Sequence, residues 1–246
     1  RHGKIDAVGI AKVEDEPMLV KDIEAGVAES ILSYPWDGIF TFTHWFYKKD
    51  NPSMHNARTI IELLCDIVSK NGNMLLNVEL KGDGTIPEEH KEILDSIGEW
   101  MKINKEAIYA SKPWSVYGDN LNSCQRVKER NILNADVNNV LNNASKENFN
   151  ARTVTSTPYD FNEVRFTTKG NILYISILNP KAGMIKLPTL GLKSLQHPRK
   201  VSRISMLGRT GQIVFSQEDD YLLIEVPKDR PTPYAVVLKV EGVLKP

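Results

Sequence analysis

The chain has 246 residues, 41% hydrophobic and 25% charged, and its 31 basic and 31 acidic side chains leave no net charge. That is the composition of a globular protein large enough for one big domain or two small ones. It gives no reason to expect nucleic acid or an anionic membrane surface as a partner. No apolar run approaches the roughly 18 residues that a membrane-spanning helix needs.

Basic residues are scattered, with runs no longer than pairs such as Lys48-Lys49 and Arg199-Lys200. Cys65 and Cys124 do not make a disulfide framework, and Cys65 falls in an apolar helix pattern, as a small core residue would. The start, Arg1-His2-Gly3-Lys4, lacks an initiating Met. The expectation is that something upstream has been removed.

In chain order, Ile5 to Val13 (IDAVGIAKV) is β-branched and apolar, which predicts a buried parallel-type strand. A polar turn at Glu14 to Pro17 leads into Met18 to Gly26 (MLVKDIEAG). Tyr34-Pro35-Trp36 reads as a loop, and Ile39 to Tyr47 as a strand with an aromatic end. Asn56 to Ser69 has helical spacing, with Ile60, Leu64, Ile67 and Val68 inward. Asn71-Gly72 is a helix stop, with Gly in the left-handed conformation. Met74 to Val78 is a short apolar run, as expected of a strand buried on both faces.

Asp83-Gly84 marks a turn rather than an active-site acid. Thr85 and Glu88 then have capping-box spacing, with Pro87 in the first turn. Ile86, Ile93, Leu94, Ile97, Trp100 and Met101 follow along one helical face, and a closing turn ends this stretch at Trp114. On this helix His90 is expected to be exposed. Trp100 and Trp114 are expected in the core.

The composition changes at Asp119 to Asn150, which is rich in Asn, Lys and Ser. It reads as a linker or surface excursion with one short helix near Ala135 to Leu141 and an exposed sequon at Asn143-Ala144-Ser145. From Glu163 onward strands and turns alternate. Val164 to Thr168, the turn Lys169-Gly170-Asn171 and Ile172 to Leu178 predict a hairpin. Further strands are predicted at Met184 to Leu187, Val201 to Leu207, Ile213 to Phe215, Tyr221 to Val226 and Tyr234 to Val240. The pattern is that of an antiparallel β-sandwich.

SKNGNMLLNV, DGTIPEE, IGEWMKINKEAIY and KPW, in that order and nearly gap-free over about fifty positions, resemble the end of the catalytic barrel of retaining α-L-fucosidases of glycoside hydrolase family 29. FNEVRFTTKGNILYISIL resembles the first hairpin of the sandwich that commonly follows it. The resemblance implies an α/β plus all-β chain: the C-terminal portion of a (β/α)8 barrel over residues 1–118, a linker over 119–150 and a β-sandwich over 151–246. Met74 to Val78 would be the eighth barrel strand. The resemblance also implies secretion, a periplasm or a lysosome as the compartment.

Asp22, Ile23, Glu24 and Gly26 match a family segment reading roughly Asp-(Val/Ile)-Glu-Arg-Gly, with Ala25 in place of Arg. Glu24 is thereby implied as the general acid/base. Pro35, Trp36, Trp45 and Tyr47 stand where the family has Pro-Trp and Trp-x-Tyr. Gly38 to Phe42 depart from the small polar residues usual there. In such barrels the site lies at the carboxyl ends of the strands. Glu24, His44, Trp45 and Asn77 with Glu79 follow three separate strands and are expected to converge. His44, Trp45, Trp36 and Asn77 are the candidate substrate-binding residues.

Retaining hydrolysis needs two carboxyl groups roughly 5–5.5 Å apart. The acid must stay protonated near neutral pH, through burial or a neighbouring carboxylate; desolvation of Glu24 between Trp36 and Trp45 is the expected means. The family's nucleophile, an Asp at the end of the fourth strand, would lie upstream of Arg1. A partial parallel barrel leaves an unpaired edge, so a further N-terminal barrel segment is expected as partner, in the same or a separate chain. No His/Asp/Glu cluster has metal-ligand spacing, and neither a metal nor a cofactor is expected. The implied activity is release of terminal α-L-fucose from glycans. Ala25 and the Gly38–Phe42 departure leave open a non-catalytic, fucosidase-like glycan-binding protein, or a half that is inert without its partner.

Overall fold

The structure, a computed structural model, describes residues 9–11, 19–24, 26–43, 45–49, 55–122 and 159–244. Four parallel strands, β1 (Ile10–Ala11), β2 (Val20–Glu24), β3 (Trp36–Thr41) and β4 (Gly72–Asn77), pair in chain order. Helix α1 (Ala57–Ser69) connects β3 to β4, and α2 (Glu88–Asn104) follows β4. Among the described residues no helix is long and apolar enough to cross a membrane.

Beyond α2 every strand pairing is antiparallel. One sheet runs β5-β6-β7-β12-β9, formed by β5 (Lys112–Asp119), β6 (Glu163–Lys169), β7 (Ile172–Leu178), β12 (Val236–Glu241) and β9 (Arg203–Met206). A second runs β10-β11-β8, formed by β10 (Phe215–Gln217), β11 (Leu222–Val226) and β8 (Gly183–Leu187). β6 and β7 join through Gly170-Asn171, with Gly170 at φ 60, the backbone that a two-residue hairpin asks of its first central position. Both sheets feed one apolar core: Val164, Phe166, Ile175 and Leu238 from the first, Ile185, Leu187, Leu222 and Ile224 from the second.

The alternate residues of the five-stranded sheet point the other way. Tyr174, Leu178 and Val237 pack against Ile61 and Cys65 of α1 and Trp100 of α2. Covered on both sides, β6 and β7 are buried almost without a break. Trp100 donates its indole N–H to the Ala235 carbonyl. Cys65 is 1% exposed, and burial pushes its thiol up to about 12.

The strongest polar tie lies in this layer. Arg165 of β6 and Asp66 of α1, each 1% exposed, form a hydrogen-bonded ion pair. Lys70 Nζ donates to the other Asp66 oxygen at 2.8 Å. The guanidinium also donates to the Val164 carbonyl and to Glu163, and it lies 5.1 Å from the centroid of the Tyr159 ring. Burial by itself raises the Asp66 carboxyl; the charges of Arg165 and Lys70 and their hydrogen bonds outweigh it and hold it below its ordinary 3.8.

Several sequence expectations differ in detail. Of the predicted strand Ile5 to Val13 the described residues carry only β1, where Ile10 is 47% exposed rather than buried. β3 begins at Trp36 rather than after it. Asn71, not Gly72, takes the left-handed backbone, with φ 71. β4 is covered on one face only, and Leu75 is 43% exposed. The Thr85–Glu88 capping box does not form: α2 starts at Glu88, and Thr85 instead donates its N–H and hydroxyl to Asp83. His90 is 2% exposed, because it faces the end of β4. Lys112-Pro113-Trp114 opens β5, and the turn ends before it. The last strand of the Ile213 to Phe215 region is shifted to Phe215–Gln217. Cys124, the expected helix at 135–141, the sequon at 143–145 and most of the expected linker fall outside the described residues.

An Asp whose pKa is lowered by folding adds stability that is present above its unfolded pKa and is lost as pH falls through its folded one. Wild-type stability should therefore drop on acidification below the ordinary aspartate range, and less so in Asp66→Asn. Asp66→Ala at neutral pH takes the shared partner from Arg165 and Lys70, leaves the buried guanidinium with Glu163 alone, and should cost about 3–5 kcal/mol. Urea unfolding of the three proteins at pH 7 and pH 3 measures both effects.

Candidate active site

Side chains alternate between the two faces of a strand, and the parallel register sets the rows. Trp36, Gly38 and Phe40 of β3 lie on the face that α1 covers, where Leu63 and Ile67 pack with Ile23, Met74 and Leu76. The opposite face carries three rows. Asp22, Asp37 and Asn73 are register partners, then Glu24, Ile39 and Leu75, then Thr41 and Asn77. None of these eight residues is buried. Six of the eight are polar, whereas the face toward α1 is apolar.

The carboxyl ends of β2, β3 and β4 lie at one edge of this face. Glu24 is the last residue of β2 and Asn77 the last of β4. At the usual strand spacing they stand roughly 10 Å apart across the sheet. Asn77 Nδ2 donates to the Trp45 carbonyl at 3.3 Å, which holds the chain leaving β3 beside β4. Trp45 is 37% exposed and Phe46 84%. Glu24, Trp45 and Asn77 are thus brought to one edge. His44 lies outside the described residues.

Trp36 is not brought there. It pairs in register with Lys21 and Gly72 at the amino ends of the strands, on the face toward α1, and is fully buried. Its indole N–H donates to the Lys70 carbonyl at 2.9 Å. It can neither line a sugar pocket nor desolvate Glu24. Beside Glu24 on its own face is Ile39, and the next row back carries two carboxyl groups, Asp22 two residues before it and Asp37 in register with Asp22. Burial pushes the Asp37 carboxyl up, offset in part by a hydrogen bond with Asn73. Asp37 carried no role in the sequence reading; strand parity, once Asp22 and Asp37 are set in register, is the signal that finds it.

Glu79, expected at the mouth, is 2% exposed and turned inward, accepting from both the N–H and the hydroxyl of Thr43. Among the described residues no group of three or more His, Cys, Asp or Glu side chains is arranged to hold a metal ion.

The Alpha-L-fucosidase family model matches residues 6–106, the span that holds this edge. The tissue α-L-fucosidases of Rattus norvegicus and Mus musculus are 30% and 32% identical over 197 and 202 residues. The chain belongs to the α-L-fucosidase family. The aligned parts cover 78% and 80% of this chain but 33% and 34% of those proteins, so it spans about a third of the length of the curated relatives it matches. Among solved structures, α-L-fucosidase isoenzyme 1 of Paenibacillus thiaminolyticus superposes with a TM-score of 0.65 at 22% identity, over 92% of this chain and 45% of that one. The Thermotoga maritima α-fucosidase in complex with fucose gives 0.63 at 23%, over 94% and 44%. At that identity the likeness shows the fold alone.

Gly72 is required in this fucosidase-family chain by Trp36. A Cβ at Gly72 would meet the Trp36 ring at 2.5 and 2.6 Å and Ile67 Cγ2 at 2.7 Å. Gly72→Ala should overpack this seat and cost about 1–3 kcal/mol, read as a lower urea midpoint. Because the seat is at the far end of the strands, the substrate KM of the folded variant should stay at the wild-type value.

Proposed function

We propose that the chain is the carboxyl-terminal part of a retaining exo-glycosidase that releases terminal α-L-fucose from glycans or glycoconjugates. In this reading β1 to β4 with α1 and α2 are the last part of a (β/α)8 catalytic barrel over residues 1–118. Residues 119–150 connect it to a β-sandwich domain over 151–246, into which the barrel segment lends β5. The polar sheet face is the inner wall of the barrel. The remaining strands and the nucleophile, an Asp, belong to an N-terminal segment in the same or a separate chain.

The observation that carries the reading is the convergence of Glu24, Trp45 and Asn77 at the carboxyl edge of the sheet face that α1 leaves free. That edge is where barrels of this kind place their chemistry. The matched family supplies the reaction class, and the chain's share of its relatives' length supports a missing segment. β4 pairs with β3 alone among the described strands, which leaves an edge for a further strand to join.

Glu24 acts first as acid, protonating the leaving oxygen, and then as base, activating the water that opens the glycosyl-enzyme ester. Trp45 offers an aromatic face to the apolar side of the sugar. His44 and Asn77 are the polar ligands, and Trp36 is structural.

A non-catalytic glycan-binding role has less support. Of the departing positions Gly38 to Phe42, Gly38 and Phe40 face α1 and cannot reach a sugar. A half that is inert without its partner is compatible with the open sheet edge and is the same protein, incomplete.

In the full-length protein, Glu24→Gln should reduce kcat/KM on a natural fucosyl linkage by about 10²–10⁴-fold. A fucoside with a 4-nitrophenolate leaving group, which needs no proton, should lose far less in the first step. Wild-type rates on both substrates would refute the assignment.

A further inference from the structure

We propose that Glu79 is a positioning residue for this site: its buried carboxylate fixes the chain leaving β3, and with it Trp45, against the end of β4. The inference deepens the reading of this edge as a sugar site and rests on it only for its effect on substrate.

The need for such a group follows from the register. The β3–β4 ladder ends at Thr41 and Asn77. Two residues later the Thr43 N–H has left the ladder, and Thr43 is 3% exposed, so it is largely shielded from water as well. A buried N–H without an acceptor is costly. Glu79, two residues past the end of β4, supplies the acceptor: Oε1 lies 2.9 Å from Thr43 N and 3.1 Å from Thr43 Oγ1.

A histidine ring lies below the carboxylate. Its Oε2 lies 3.4 Å from Nδ1 of His90 on α2, and His90 is 2% exposed. The His90 ring packs on the fully buried Phe42 at 4.8 Å between centroids. The segment after β4 and the first turn of α2 thus grip Phe42 and Thr43, and Asn77 grips the Trp45 carbonyl. Both oxygens of Glu79 face protein groups below the mouth, so it acts on a substrate through Trp45 and not by contact.

The test uses the full-length protein with Glu79→Ala, Glu79→Gln and Thr43→Val. Acrylamide quenching of Trp45 fluorescence, taken as the difference from a Trp45→Phe background, reports the loop without any substrate. KM and kcat on a 4-nitrophenyl fucoside report its consequence. Glu79→Ala should make Trp45 more quenchable and raise KM by about tenfold, the loss expected for a buried hydrogen bond, with the smaller change in kcat. Glu79→Gln keeps an acceptor oxygen and should restore most of both. Thr43→Val, which removes one donor and keeps the N–H, should fall between them and decides the matter if Glu79→Ala does not fold.

Unchanged quenching in Glu79→Ala and Thr43→Val would overturn the proposal. So would a Gln variant as impaired as the Ala one. If the wild-type protein cleaves no fucoside, the functional reading fails while the quenching series still decides the role of Glu79.

Discussion

The ion pair between Asp66 and Arg165 holds together the two parts of this molecule. Each partner is out of water, and each is tolerable because charges of opposite sign surround it, Lys70 beside Asp66 and Glu163 beside Arg165. The pair ties α1, which covers the parallel sheet, to β6, the second strand of the antiparallel one. Around it the contact is apolar, with Ile61 and Cys65 on one side and Tyr174, Leu178 and Val237 on the other. α1 therefore has two sheets to serve. Leu63 and Ile67 face the parallel one, and the side bearing Glu62 and Asp66 faces the antiparallel one, where Glu62 accepts from the Asn179 N–H at 3.1 Å.

This double duty sets the direction of the parallel sheet. With α1 on the face of Trp36, Gly38 and Phe40, the face of Asp22, Glu24, Asp37 and Asn77 is left uncovered by that helix. The strands then carry two codes at once. Even-numbered residues of β3 are chosen for packing, down to a glycine at Gly72 on the neighbouring strand that makes room for the Trp36 ring. The odd-numbered ones, Asp37, Ile39 and Thr41, are only half-buried on the other face. A shift of one residue in register would exchange the two sets, so the fixed seat of Trp36 at the amino end also fixes what Glu24 faces at the other.

Much of this was legible in the residues. The hairpin of β6 and β7, the strands β8, β9, β11 and β12, α1 and the long α2 all follow from spacing and turn chemistry. What escaped were long-range effects. His90 reads as a solvated helix residue because nothing local says that Phe42 and Glu79 cover it. Leu75 reads as core because a short apolar run does not reveal which face lacks a neighbour. Thr85 has capping spacing, but Asp83 competes for its hydrogen bonds and wins. In the site, Glu24 and Asn77 were accessible through motif and strand end, whereas Trp36 was misplaced by its aromatic character and Asp37 was missed for want of a register.

The central claim is that the free face of the parallel sheet looks into a fucose site with Glu24 at its edge. Affinity labelling tests it most directly. An α-L-fucosyl derivative bearing a bromoacetyl group on the aglycone side is incubated with the full-length protein, with and without excess fucose, and the modified peptide is mapped by mass spectrometry. The account predicts fucose-protected ester formation on Glu24. Protected labelling on a carboxylate of the antiparallel sheets, with Glu24 unmodified, would contradict it.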